Sequence, residues 1–150
     1  MPEKGTIKRS RQAKRAGKSP TTQAGPFVEE EIHHVREGKH GARSTKQAIA
    51  IGLAKARRSG VHLPPPPASA SARTKRSAKS ASRAAKRGGR PSARRSRAAT
   101  RALKHEGRGA ASHRALSRQA KSAARRRSAS SRKAAARKGA RTRKRRRASA

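Results

Sequence analysis

Gly38–Gly60, GKHGARSTKQAIAIGLAKARRSG, is the stretch in which the sequence reads most clearly as a folded element. Ser44-Thr45-Lys46-Gln47 fits a capping box: the Ser44 hydroxyl accepts from the Gln47 backbone N–H while the Gln47 side chain reaches back. Ala48, Ile49, Gly52, Leu53 and Ala56 then share one helical face. Arg57 and Arg58 follow where the helix dipole favours cations, and Gly60 ends the run. The spacing predicts a helix over about 45–58. Ile51 lies off the apolar face and offers a contact to a second copy, hence a weak homodimer.

On the N-terminal side, Pro26 suits a first helical position, Glu29-Glu30-Glu31 suit a first turn, and Gly38 suits a stop. Val28, Ile32 and Val35 make a stripe by the i, i+4, i+7 rule, so a second short helix is expected over about 27–37. The six-residue connection 38–43 folds the two into a hairpin, Val28, Ile32 and Val35 facing Ile49, Leu53 and Ala56. Ser19-Pro20 and Gly25-Pro26 read as breaks. Before them, Thr6 to Ala16, stopped by Gly17, reads as a basic arm that turns helical on meeting an anion.

On the C-terminal side the composition changes abruptly. Pro64-Pro65-Pro66-Pro67 must be extended and reads as a stiff spacer. Residues 1–63 carry fourteen Lys and Arg against five Glu, whereas residues 64–150 carry thirty against Glu106 alone. The whole chain of 150 residues has 44 Lys and Arg, six Glu, no Asp and a net charge of +38, with Phe27 its sole aromatic. Most of its hydrophobic fraction is alanine. High charge with little apolar bulk predicts a chain that is mostly disordered, a small all-α N-terminal segment excepted. The expected organisation is a helical head over 1–63, a spacer over 64–67 and a disordered, low-complexity basic tail over 68–150. Ser92–Leu103 and Ala120–Ala136 have helix propensity once charge is screened, with Gly88-Gly89-Arg90-Pro91 as an interruption.

The charge points to a polyanion as partner. Twenty-two of the thirty tail cations are Arg, whose planar fork grips phosphate bidentately. Candidate nucleic-acid contacts are Arg43, Ser44, Lys46 and Gln47 at the helix start, with Thr45 between them, and Arg57 and Arg58 at its end. In the tail they are Arg94, Arg95 and Arg97, then Arg125, Arg126 and Arg127, then Arg143, Lys144, Arg145, Arg146 and Arg147. Ser128 follows an arginine triplet and reads as a phosphorylation candidate. The lack of aromatics argues against base-stacking modules. The tail has no apolar face to enter a membrane, and the N-terminus has no apolar signal core.

His33, His34, His40 and His62 are read as surface histidines, with no metal or other cofactor expected, because adjacent helical histidines diverge by about 100°. No nucleophile–base pair or phosphate-cradling glycine motif stands out, so no enzyme activity and no small-molecule substrate is expected. Cysteine is absent, which removes disulfides and thiolate sites.

EEIHHVREGKHGARS and KQAIAIGLAKARRSGV, within about residues 3–63, resemble an uncharacterised family of small basic bacterial proteins known as a domain of unknown function. That resemblance brings no activity and no site residues with it. The tail is similar in composition to bacterial histone-like proteins and linker-histone tails, though richer in Arg. The expectation is a cytoplasmic, nucleoid-associated, histone-like protein that binds and compacts DNA largely without regard to sequence. An RNA- or ribosome-associated basic protein and a helical protein-interaction module with a polycationic anchor are the alternatives.

Overall fold

The computed structural model describes residues 1–88 and 92–148, the side chain of Arg146 excepted. Seven α-helices cover most of them: α1 (Lys4–Arg15), α2 (Pro20–Arg36), α3 (Thr45–Arg58), α4 (Ala72–Arg87), α5 (Ala93–Lys104), α6 (His113–Arg125) and α7 (Ala129–Ala148), with a 3-10 turn at Gly109–Ala111. The chain forms two compact units, Met1–Ser112 and His113–Ala150.

The core of the first unit lies among α1, α2 and α3. Ala24 and Phe27 of α2, Ala56 of α3 and Val61 just beyond it are buried together, flanked by Ile7, Leu53 and Leu63. The hairpin expected from sequence is present, but α2 begins at Pro20, not near Phe27. Ser19 caps it by accepting from the Thr22 N–H, and Pro20 occupies the first turn, where a missing N–H costs nothing. Pro26 therefore sits inside the helix. The physical reason is tertiary: only a helix running through Gly25-Pro26 places Ala24 and Phe27, each 1% exposed, on the same buried face. This also moves Glu29-Glu30-Glu31 from a first turn to mid-helix.

The basic arm is likewise a packed element. α1 lies against α2, with Thr6 and Ser10 buried and Arg9 Nη1 2.7 Å from Glu29 Oε2. The α2–α3 approach is set by Gly52, where a Cβ would stand 2.7 Å from Val28 Cα and 2.9 Å from the Phe27 carbonyl oxygen. The α3 cap forms as the sequence implies, Ser44 Oγ accepting from Gln47 N–H at 3.2 Å. The Gln47 side chain reaches one residue further back than the usual box, accepting from Arg43 N–H at 2.9 Å.

The expectation of a mostly disordered chain, and with it the description intrinsically disordered, is overturned by helices α4 to α7. α4 packs on α3 and buries Ala81. Ala78, Ala81, Ala84 and Ala85 share the less exposed face of α4, while Arg76, Lys79, Arg83 and Lys86 share the exposed one. Alanine offers little apolar area, but it lets helices approach closely enough for dispersion contacts, and its helix propensity is the highest of all residues. α4 starts at Ser71, whose hydroxyl accepts from the Thr74 N–H, and ends on Gly88. The remainder of the Gly88-Gly89-Arg90-Pro91 interruption lies outside the described residues. Of the two segments given helix propensity, Ser92–Leu103 matches α5, whereas Ala120–Ala136 is divided between α6 and α7.

Residues 103–111 are tied to the loop between α2 and α3 by main-chain bonds. Gly41 N–H donates to the Leu103 carbonyl at 2.8 Å and Ala42 N–H to the Gly107 carbonyl at 3.0 Å. Thr45 Oγ1 donates to the Ala110 carbonyl at 2.6 Å and Arg36 Nε to the Ala111 carbonyl at 2.8 Å. Ala42 and Ala111 are buried there. Sequence far beyond the proline run thus belongs to the same unit as the hairpin.

In the second unit, Ser128 caps α7, its hydroxyl accepting from Ser131 N–H at 3.2 Å, while the Arg127 guanidinium donates to Ser131 Oγ.

Candidate nucleic-acid interface and a buried carboxylate–histidine cluster

An α-helix returns to the same face every three to four residues, and the cations of α4, α5 and α6 follow that period. On α4 they are Arg76, Lys79, Arg83 and Lys86; on α5, Arg94, Arg97, Arg101 and Lys104; on α6, Arg114, Arg118, Lys121 and Arg125. All twelve are exposed. At ~1.5 Å per residue each stripe is about 15 Å long, and that length of duplex presents about nine phosphates. On α6, Arg118, Lys121, Ser122, Arg125 and Arg126 line an open groove of about 430 Å³. α7 carries cations on every face of its twenty residues, Arg143, Lys144, Arg145 and Arg147 in its last turns among them.

The residues singled out from sequence fall into distinct settings. Arg94, Arg95, Arg97, Arg125 and Arg126 are exposed, with Arg94, Arg97 and Arg125 in the stripes. Arg127 is exposed and engaged with Ser131. Arg146 belongs to α7, its side chain outside the described set. At the α3 start, Arg43 and Lys46 are exposed, while Ser44 and Gln47 form the cap and Thr45 is buried under its bond to Ala110. Arg58 is exposed, but Arg57 is half-buried and donates to the Pro64 carbonyl at 2.7 Å, burial pushing its guanidinium pKa down. The other nine stripe cations, Arg76, Lys79, Arg83 and Lys86 of α4, Arg101 and Lys104 of α5, and Arg114, Arg118 and Lys121 of α6, were not among the sequence candidates. Their 3.6-residue spacing is the signal that would have found them.

The second feature is acidic. Glu31 on α2 is 0% exposed, its Oε2 2.7 Å from Lys55 Nζ and its Oε1 3.2 Å from His40 Nε2, yet neither oxygen has hydrogen-bond geometry with any group among the described residues. Lys55 also meets Glu30 Oε1 at 3.2 Å. Burial would push the Glu30 carboxyl up, but the Glu3 backbone N–H, the Thr6 hydroxyl and Lys55 together hold it below its ordinary value. His34 Nε2 lies 3.1 Å from Glu3 Oε1, a bond that holds the Glu3 carboxyl down against the opposing cost of burial. His40 Nδ1 lies 3.0 Å from the Gly41 carbonyl oxygen. One nitrogen from each of His34 and His40 and one oxygen of Glu31 lie within 4.8 Å of one another. His33 and His62 are exposed and take no part.

Among the described residues no helix is long and apolar enough to cross a membrane. No curated protein and no solved structure matches the chain. Residues 11–66, from within α1 through α3 to the proline run, match a family of unknown function, DUF6496, and the striped helices lie beyond the matched segment.

Proposed function

We propose that this protein binds DNA without strong regard to sequence, by laying cation-striped helices along the phosphate backbone. What supports the reading is the twelve exposed cations ordered on single faces of α4, α5 and α6. Phosphate contacts hold a protein on a duplex but carry no base information, which makes the binding largely sequence-independent. Each phosphate neutralised releases condensed counterion, and that release supplies the affinity. In this reading the protein is a non-enzymatic, histone-like, nucleoid-associated protein of the bacterial cytoplasm, and α7 adds charge from all sides. The face of α4 that buries Ala81 against α3 leaves its cations outward, so the head acts as a rigid carrier for the stripe.

The test is binding of the full-length protein to two unrelated DNA duplexes and an RNA duplex of equal length, from about 50 to 200 mM salt. The two DNA duplexes should bind alike, and log K should fall linearly with log salt. Replacing Arg94, Arg97, Arg101 and Lys104 together with Gln should make the slope shallower by roughly 3 to 4, since each phosphate contributes about 0.9. An unchanged slope would refute the stripe, and tighter binding of the RNA duplex would move the partner to RNA.

A further inference from the structure

We propose that Glu31, His34 and His40 form a binding site for a divalent transition metal of the Zn²⁺ class, clipping α2 to the loop that precedes α3. Two imidazoles and one carboxylate are the donor set such ions prefer over the all-oxygen set of Mg²⁺ or Ca²⁺. Glu31 and His34 stand three residues apart on one face of α2, and His40 comes back to them from the loop. Their donor atoms lie within 4.8 Å of one another, close enough for one ion between them to approach bond lengths of about 2.0–2.2 Å to each. A fourth position is left for water.

Three independent observations point to a cation there. The first is Glu31 itself, fully buried with neither oxygen in a hydrogen bond. A buried carboxylate oxygen in that state is costly, and a metal ion on Oε1 removes the cost while Lys55 holds Oε2. The second is the His40 ring. Its Nδ1 donates to the Gly41 carbonyl at 3.0 Å, the outer bond that metal-bound histidines adopt, and its Nε2 faces Glu31 Oε1 at 3.2 Å, where an ion between them would be held by both. The third is charge. In a chain of net charge +38 with six acidic residues, Glu3, Glu30 and Glu31 gather at this place against Lys39 and Lys55. Half of the chain's six carboxylates are thus concentrated at one place in a strongly positive molecule. The side chains of His34 and His40 are 15% and 13% exposed, enough for an ion to enter beside Glu3.

The experiment uses the full-length chain, stripped with a chelator and titrated with Zn²⁺ alone, then with Mg²⁺. One equivalent of Zn²⁺ should bind and raise the melting temperature, and Mg²⁺ should not. His34→Ala and His40→Ala should each weaken Zn²⁺ binding at least tenfold, whereas the double variant His33→Ala with His62→Ala should bind as the parent does. Imidazole nitrogen NMR of the unmutated chain needs no variant to fold: Zn²⁺ should shift His34 and His40 and leave His33 and His62 in place. Absence of stoichiometric Zn²⁺ binding, equal loss in the His33/His62 variant, or shifts confined to those two exposed histidines would overturn the proposal. Neither DNA affinity nor its salt slope enters this measurement, so it stands or falls apart from the proposed function.

Discussion

Gly41→Ala tests the least expected feature of the fold, the main-chain docking of residues 103–107 on the α2–α3 loop. A Cβ at position 41 would overlap the Glu106 carbonyl group and crowd the Gly107 oxygen, which stands 2.8 Å from its ideal position. Backbone cannot rotate away as a flexible side chain does, so the two segments must part. Parting them gives up the Gly41-to-Leu103 and Ala42-to-Gly107 hydrogen bonds. At about 0.5–1.5 kcal/mol each, their loss is worth about 1–3 kcal/mol. More is lost if Thr45-to-Ala110 and Arg36-to-Ala111 follow. The control is Gly107→Ala in the same segment, where nothing lies within 4 Å of an added Cβ. Urea unfolding of the full-length protein, followed by helical circular dichroism, should show the Gly41 variant destabilised by that amount and the Gly107 variant close to the parent. Amide exchange at Ala42 should accelerate in the first variant only. Equal midpoints for all three proteins would refute the docking.

Gly52→Ala should cost about 1–3 kcal/mol in the same assay, because its methyl group meets the α2 backbone at Val28 and Phe27 and the helices must separate. Lys55→Met leaves Glu30 and Glu31 buried without their shared cation and should cost about 3–5 kcal/mol; a loss below about 1 kcal/mol would mean that the pair is hydrated. Adding Glu31→Gln to that variant should recover part of the loss. Ser128→Ala removes the α7 cap and should reduce helicity of the second unit by an amount equivalent to about 1 kcal/mol, read by circular dichroism; unchanged helicity would count against the cap.

Local signals were legible where local physics sets the outcome. The Ser44 cap and the stop at Gly60, which takes φ of +88°, each depend on a few adjacent residues. The reading failed where a distant partner decides. Pro26 looks like a helix start until Phe27 needs a partner in Ala56, and Glu31 looks like a first-turn partner of the helix dipole until Lys55 and His40 surround it. The basic tail looked structureless because high charge with little apolar bulk leaves no core to offset ordering, and no exact residue period emerges. What repeats is charge: cations at helical spacing, interleaved with alanines that α4 turns inward.

The sequence by itself determined the net charge, the near absence of bulky apolar residues, the Ser44 cap and the glycine stops of the hairpin at Gly38 and Gly60. Those follow from composition and from neighbours in the chain. Only the tertiary structure decided that residues 103–111 belong to the first unit and that a carboxylate is buried beside two histidines. Both rest on contacts between segments far apart in sequence, some of them between backbone atoms alone, and backbone atoms leave no trace in residue identity.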